Sequence, residues 1–307
     1  MKVWSQVRVR SKSKAAQLGI ALFALAVLLA IAWVFISLRG PRQTLLDVTL
    51  EQLEEQVRQA PQDPDARLAV AIAYAARGYH DNAIGQFQEV LKLEPDNQTA
   101  LIGMGRSYLQ QDMREKAMEP YLRVVELNKE NPVRGTLEQL EAVYYDLGGI
   151  YVERREYSVA ADYLRQALEI NSVDADAWYV LGQAQKAAGE PLEALDAFQK
   201  AVRLAPDFRE AYESMASVYK ELGLVGERKY ATGMLHWTAK SMDKALRDLQ
   251  EATTAVPQMA EAHQGLGLVL EAQGRGQQAL SSYQQALELD PTLLVARLAI
   301  ERLAGAR

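Results

Sequence analysis

The chain has 307 residues, no cysteine, and 34 basic against 40 acidic side chains, a formal net charge of −6. The missing cysteine excludes disulfides, thiolate metal sites, a cysteine nucleophile and an acylated-cysteine anchor. Residues 1–42 hold seven Lys or Arg and no acid, which leaves −13 on residues 43–307; so acidic a body argues against nucleic acid as a partner, because phosphate binding needs a basic face on the folded part.

The first element follows a short basic tail, 1–17. Leu18–Leu38 reads LGIALFALAVLLAIAWVFISL, 21 residues without a charge, long enough as a helix to cross a bilayer at about 1.5 Å per residue. Trp33, Arg39 and Arg42 are placed as interfacial anchors. Ala30-Ile31-Ala32 matches the small-x-small pattern of a cleaved signal peptide. The apolar run continues through Trp33-Val34-Phe35-Ile36, which favours an uncleaved anchor. Five basic residues precede the span and two follow it closely, so charge bias keeps the N-terminus cytoplasmic and sends the large domain to the periplasmic or exoplasmic side of the cell (inner) membrane.

Residues 39–63 are expected to form a linker and a capping helix, with Thr49–Pro61 reading as a lone second helix that ends in its proline. Ala, Leu, Glu, Gln and Arg dominate the rest and prolines recur at intervals, which suits a helical array better than two globular cores. Residues 175–208 contain Trp178, Leu181-Gly182, Ala194, Phe198, Ala201 and Pro206. Small residues at Gly182 and Ala194 would let two helices approach, large ones would fill the space between hairpins, and the proline would stop the second helix.

The spacing recurs. Residues 64–97 supply Val70-Ala71, Tyr74, Ala83, Phe87 and Pro95; 98–131 supply Met104-Gly105, Tyr108, Ala117 and Tyr121, with Lys129 at the proline place. Residues 141–174 supply Leu147-Gly148, Tyr151, Ala160 and Leu164, and 260–293 supply Leu266-Gly267, Ala279, Tyr283 and Pro291. These residues resemble the tetratricopeptide-repeat (TPR) pattern, W-x2-L-G-x2-Y…A-x3-F…P, over nearly everything after residue 63. The fold class expected is therefore all-α: a TPR α-solenoid over 64–307, a right-handed superhelix of antiparallel helix pairs, behind one N-terminal transmembrane helix.

Three departures carry expectations of their own. Nine extra residues precede the third repeat, and Thr136-Leu137-Glu138-Gln139 has capping-box form, so the next helix should start early and project by two turns. Between Pro206 and Pro257 three helices are expected, near 209–222, 227–240 and 242–255, where two repeats would give four. Thr292–Leu303 reads as a C-terminal cap, with Leu294, Leu298 and Ile300 covering the last hairpin and Arg297, Glu301 and Arg302 facing water.

No motif points to catalysis, a cofactor or a metal. His80, His236 and His263 are scattered without a second histidine at ligand spacing, and neither a nucleophile elbow nor a phosphate-binding loop is present. Asn97-Gln98-Thr99 has the form of a glycosylation sequon but falls at a repeat junction. The resemblance implies instead that first helices line a concave groove that takes partner proteins as peptides or helices. Lining residues outside the packing positions are Leu68, Ile72, Ile102, Arg106, Leu109, Tyr145, Tyr179, Gln183 and Lys186, more apolar at the N-terminal end and charged toward Glu210, Glu213, Glu221 and Glu271. Leu68 and Ile72 could equally pack on the membrane-proximal cap or a neighbouring helix, whereas Tyr145 and Tyr179 are expected at the centre of the partner contact, with Arg106 and Gln183 supplying polar contacts. Lys and Asn are not at the places required for a chaperone-type carboxylate clamp. The expected role is a non-enzymatic, membrane-anchored interaction scaffold, an assembly factor for unassembled partners; the alternative is a permanent accessory subunit of a membrane complex. Partners are proteins and the bilayer, with no nucleic acid or small-molecule substrate.

Overall fold

The computed structural model describes residues 45–131 and 138–305. The expected membrane span, its cleavage motif and its orientation lie outside these residues, as do Thr136 and Leu137 of the capping box. Among the described residues no helix is long and apolar enough to cross a membrane.

Fifteen helices occur among the described residues: α1 Leu45–Gln59, α2 Pro64–Ala76, α3 His80–Leu93, α4 Gln98–Gln110, α5 Arg114–Asn128, α6 Glu138–Glu153, α7 Tyr157–Ile170, α8 Ala175–Ala188, α9 Pro191–Leu204, α10 Arg209–Glu221, α11 Val225–Thr238, α12 Met242–Ala255, α13 Ala260–Ala272, α14 Gly276–Leu289 and α15 Leu294–Gly305. The chain divides into two compact units, one ending at Val70 and the other running from Ala71. The first contains α1 and the start of α2. Along α1, Arg58 pairs with Glu55 one turn earlier, and Asp63 caps α2 by accepting from the amides of Asp65 and Ala66.

The second unit is the repeat array, and its hydrogen bonds show why each helix stops. Helix α8 starts where the Asp174 carboxylate accepts from the amides of Asp176 and Ala177, which satisfies two of the free donors at a helix start. It ends at Gly189, with φ +84°, where the Gly189 amide returns to the Lys186 carbonyl and the Glu190 amide to Gln185. This is the two-bond Schellman turn. The same pair of bonds recurs around Gly78, Asp112, Arg155, Gly223, Lys240 and Gly274, each with positive φ. These turns close the first helix of a pair. Most second helices end differently, in a more extended residue such as Asn171, Ala205 or Val256 near φ −130°, while α5 ends at Lys129 with φ −56°.

The turns date the repeats better than the prolines do. Successive ones lie 34 residues apart, except for 43 between Asp112 and Arg155 and 17 between Gly223 and Lys240. The first gap is the nine-residue insertion. Helix α6 begins at Glu138, three residues before its repeat; anything earlier is outside the described residues. The second gap is half a repeat, and the three expected helices are found as α10, α11 and α12 within two residues of their expected ends. Both α10 and α11 stop in the first-helix turn.

Close packing identifies which of the two has a partner. A Cβ on Gly182 would sit 2.6 Å from the Phe198 ring, and one on Gly233 would sit 2.7 Å from Leu249 Cγ. The two contacts span the same 16 residues, so α11 and α12 are a true pair and α10 is the inserted single helix. Phe198, Tyr212, Met215 and Leu249 are fully buried in the core that joins these elements; burying one such side chain contributes about 1.5–3 kcal/mol. Arg203, at the end of α9, reaches Glu261 on α13 and Asp290 after α14, each at 2.7 Å. One guanidinium therefore bridges positions 58 and 87 residues away.

The C-terminal cap differs from expectation. Leu294 and Leu298 are 59% and 51% exposed, while Leu293, Ala296 and Ala299 are buried and Ile300 and Leu303 pack beside them. The helix is rotated relative to the sequence reading because small residues at 296 and 299 let it approach α14, where branched leucines would hold it off. Arg302 does not simply face water: it makes a two-nitrogen contact with Glu271, which also accepts from the Tyr283 hydroxyl.

Candidate protein-binding groove

First helices α2, α4 and α6, with the start of α3, enclose an open cavity of about 570 Å³ within the second unit. Its floor is apolar, built from Ile72, Ala75, Ala76, Phe87 and Ile102, and its polar groups come from His80, Thr99, Arg106, Ser107, Gln110 and Gln139. Helical spacing explains the arrangement. Ile102 and Arg106 are four residues apart on α4 and so share a face, while Ala75 and Ala76 lack the bulk that would close the space.

Of the nine residues expected to line a groove, the cavity brings together Ile72, Ile102 and Arg106. Ile72 is 48% exposed, the most open large apolar side chain among them. Ile102 is only 5% exposed and belongs to the hydrophobic core, so it forms the floor and offers a partner little area. Arg106 is exposed and makes no ion pair with any described residue. Asp146 feels its charge, but Asp146 Oδ2 already accepts from the Tyr121 hydroxyl at 2.7 Å. Burial lifts the Asp146 carboxyl above its ordinary value, with the Tyr121 bond and Arg106 opposing that lift.

The remaining six are placed elsewhere. Leu68 lies in the first unit and is half-buried. Leu109 and Tyr145 pack partly against the core of the second and third repeats; burial, followed by Asp176 and Asp174, holds the Tyr145 hydroxyl above the usual phenol range. Tyr179 was expected outside the packing positions, but its ring lies 5.8 Å from Phe198 and 4.9 Å from Phe208. The reason is that α10 follows α8 and α9 closely, and Phe208 at its start fills the space beside the tyrosine. Gln183 donates to the Tyr179 hydroxyl at 2.9 Å, and Lys186 donates to Ser217 and pairs with Glu221. These three therefore serve the interface between neighbouring repeats.

Two polar residues at the cavity end were missed in the sequence. His80 lines the cavity with its Nδ1 buried and unpartnered. Arg77, next to the lining Ala76, donates from Nη1 to the Ala73 carbonyl while its Nε and Nη2 are buried without an acceptor. The signal available was the turn at Gly78, which fixes where the chain around it points.

Comparison with known proteins agrees with this geometry. A tetratricopeptide-repeat family model matches residues 71–132, 145–207 and 230–293, and a second matches 46–94. The unmatched stretch between 207 and 230 holds the single helix α10. The chain is 24% identical over 221 residues to human tetratricopeptide repeat protein 13, covering 59% of this chain and 26% of that protein. It is 25% identical over 201 residues to the peroxisomal targeting signal receptor of Kluyveromyces lactis, covering 57% of this chain and 36% of the receptor. It thus spans only about a quarter to a third of these relatives. The crystal structure of the C-terminal part of a TPR protein from Cytophaga hutchinsonii superposes with a TM-score of 0.52 at 16% identity, covering 83% of this chain and 94% of that one, a likeness of fold alone. TPR proteins generally act as protein-interaction scaffolds. With matched models over more than half its length, each in phase with the observed helix pairs, the chain belongs to the tetratricopeptide-repeat family.

Proposed function

We propose that this chain is a membrane-anchored interaction scaffold that holds partner proteins in the N-terminal part of its groove, as an assembly factor acting beside the bilayer. The observation that carries the binding reading is the cavity between α2, α4 and α6, where a half-exposed isoleucine sits beside an arginine that has no ion pair among the described residues. Exposed apolar area with a convergent charged group is what a recognition surface requires. A similar protein bears the name of a targeting-signal receptor, which supports peptide capture by this fold. Anchoring is supported by the uncharged run Leu18–Leu38, and the charge bias around it supports a domain on the non-cytoplasmic face.

The test is affinity capture of full-length protein from detergent-solubilised membranes, alongside Ile72→Asp. An assembly factor should bring down several clients below stoichiometry, with recovery lost in the variant. One stoichiometric partner that survives high salt would make the chain a permanent subunit instead. Full-length protein left in the supernatant after alkaline carbonate extraction would remove the anchor from the reading.

A further inference from the structure

We infer that the N-terminal cavity selects a partner segment carrying an apolar side chain with an Asp or Glu side chain within about one helical turn of it. The inference rests on the groove reading above and adds to it the chemistry of the occupant.

The argument is one of charge. Residues 43–307 carry −13, yet the described residues lining this cavity include an arginine and a histidine and no acid. Arg106 has no carboxylate within ion-pair distance among the described residues. Asp146, the acid that feels it, is engaged by Tyr121. Beside the cavity, the Arg77 guanidinium leaves two nitrogens without acceptors. Several cations elsewhere in the array do meet acids: Lys186 pairs with Glu221, Arg203 with Glu261 and Asp290, Arg302 with Glu271. A positively charged rim on an acidic solenoid attracts a carboxylate and repels a basic segment, giving selectivity as well as affinity. The apolar floor supplies the second half of the match: Phe87 and Ile102 are already buried beneath it, Ile72 remains 48% exposed, and an apolar side chain entering there would cover Ile72. The carboxylate is assigned to the segment's own side chains, and a blocked carboxyl end in the test removes the chain terminus as its source.

The experiment is selection of heptapeptides from a random library, displayed with a blocked carboxyl end, on full-length wild-type protein, Arg106→Glu and Ile72→Asp. Circular dichroism checks that each variant folds, and Arg106→Gln serves as the milder partner. Wild type should enrich peptides that combine a Leu, Ile or Phe with Asp or Glu within four positions. Resynthesised with Asn or Gln, the winners should bind about tenfold more weakly by fluorescence anisotropy, and added salt should erase that difference. Arg106→Glu should reverse the acidic preference and keep the apolar one. Apolar enrichment without an acid, or an acid preference that survives Arg106→Glu, would overturn the inference while leaving the groove intact. Failure to enrich any peptide that depends on Ile72 would overturn the groove reading too.

Discussion

Lys240 and Gly189 occupy the same place in two successive pairs, and exchanging their residue types should move stability in opposite directions. Lys240 holds φ at +55°, a region an L-residue enters at a cost of about 1–2 kcal/mol. Its side chain is exposed and makes no hydrogen bond or ion pair among the described residues. Lys240→Gly therefore removes backbone strain and no contact. The gain is offset by the greater freedom of glycine in the unfolded chain, about 0.4–1 kcal/mol, so the net stabilisation should be about 0.5–1 kcal/mol. Gly189 has φ +84° with open space where a Cβ would lie. Gly189→Ala should accordingly cost a similar amount through conformation alone, with no steric term.

For a unit of this size each change corresponds to about 1–4 °C. Thermal and urea unfolding of full-length protein, followed by circular dichroism at 222 nm, would read it. Arg155→Gly, at φ +61°, provides a replicate in a different repeat. A Lys240→Gly protein that melts earlier than wild type would refute the reasoning, because it would mean that α11 does not end in the first-helix turn. The half-repeat assignment would fall with it.

Three further outcomes follow from named contacts. Arg203→Met should lower stability by about 1 kcal/mol, since Arg203 is 41% exposed and its pairs are partly screened; a double-mutant cycle with Glu261→Gln showing no coupling would mean the bridge is idle. Tyr179→Ala should cost about 2 kcal/mol from two lost aromatic contacts at a half-buried site, whereas Tyr179→Phe should cost under about 1 kcal/mol; an unaffected Tyr179→Ala protein would return that ring to the partner-facing surface. Asp146 has a folded pKa above its ordinary 3.8, so its contribution is present at low pH and is lost as pH rises through the folded value. Asp146→Asn should lack that slope, and parallel stability profiles from pH 3 to 6 would contradict the burial of the carboxylate.

Helix pairing was legible in the sequence because the physics that sets it is local. The 16-residue contact between Gly182 and Phe198 needs one absent side chain and one large one at fixed spacing, and both can be read directly. The half-repeat was legible for the same reason: Ala231, Gly233 and Met234 give α11 a first-helix face, and Pro257 dates the end of α12. The cap failed at Leu294 and Leu298 because helix periodicity gives a face without saying which neighbour it meets. Small residues at Ala296 and Ala299 decided that, through approach distance and not hydrophobicity.

The site was less legible, and the pattern of error has a single cause. Every residue expected in the groove was chosen for being off the repeat's own packing positions, which assumes that what is not packed within a repeat is free. In a solenoid the next repeat takes up much of that surface. Tyr179 met Phe208, Lys186 met Ser217 and Glu221, and Ile102 sank into the core beneath α6. Only Ile72 and Arg106 stayed both open and unengaged. They lie on α2 and α4, where the small side chains of Ala75 and Ala76 leave the cavity open above Ile102 and Phe87. Helix α6 begins at Glu138 and places Gln139, in its first turn, on the cavity wall with Ile72 and Arg106.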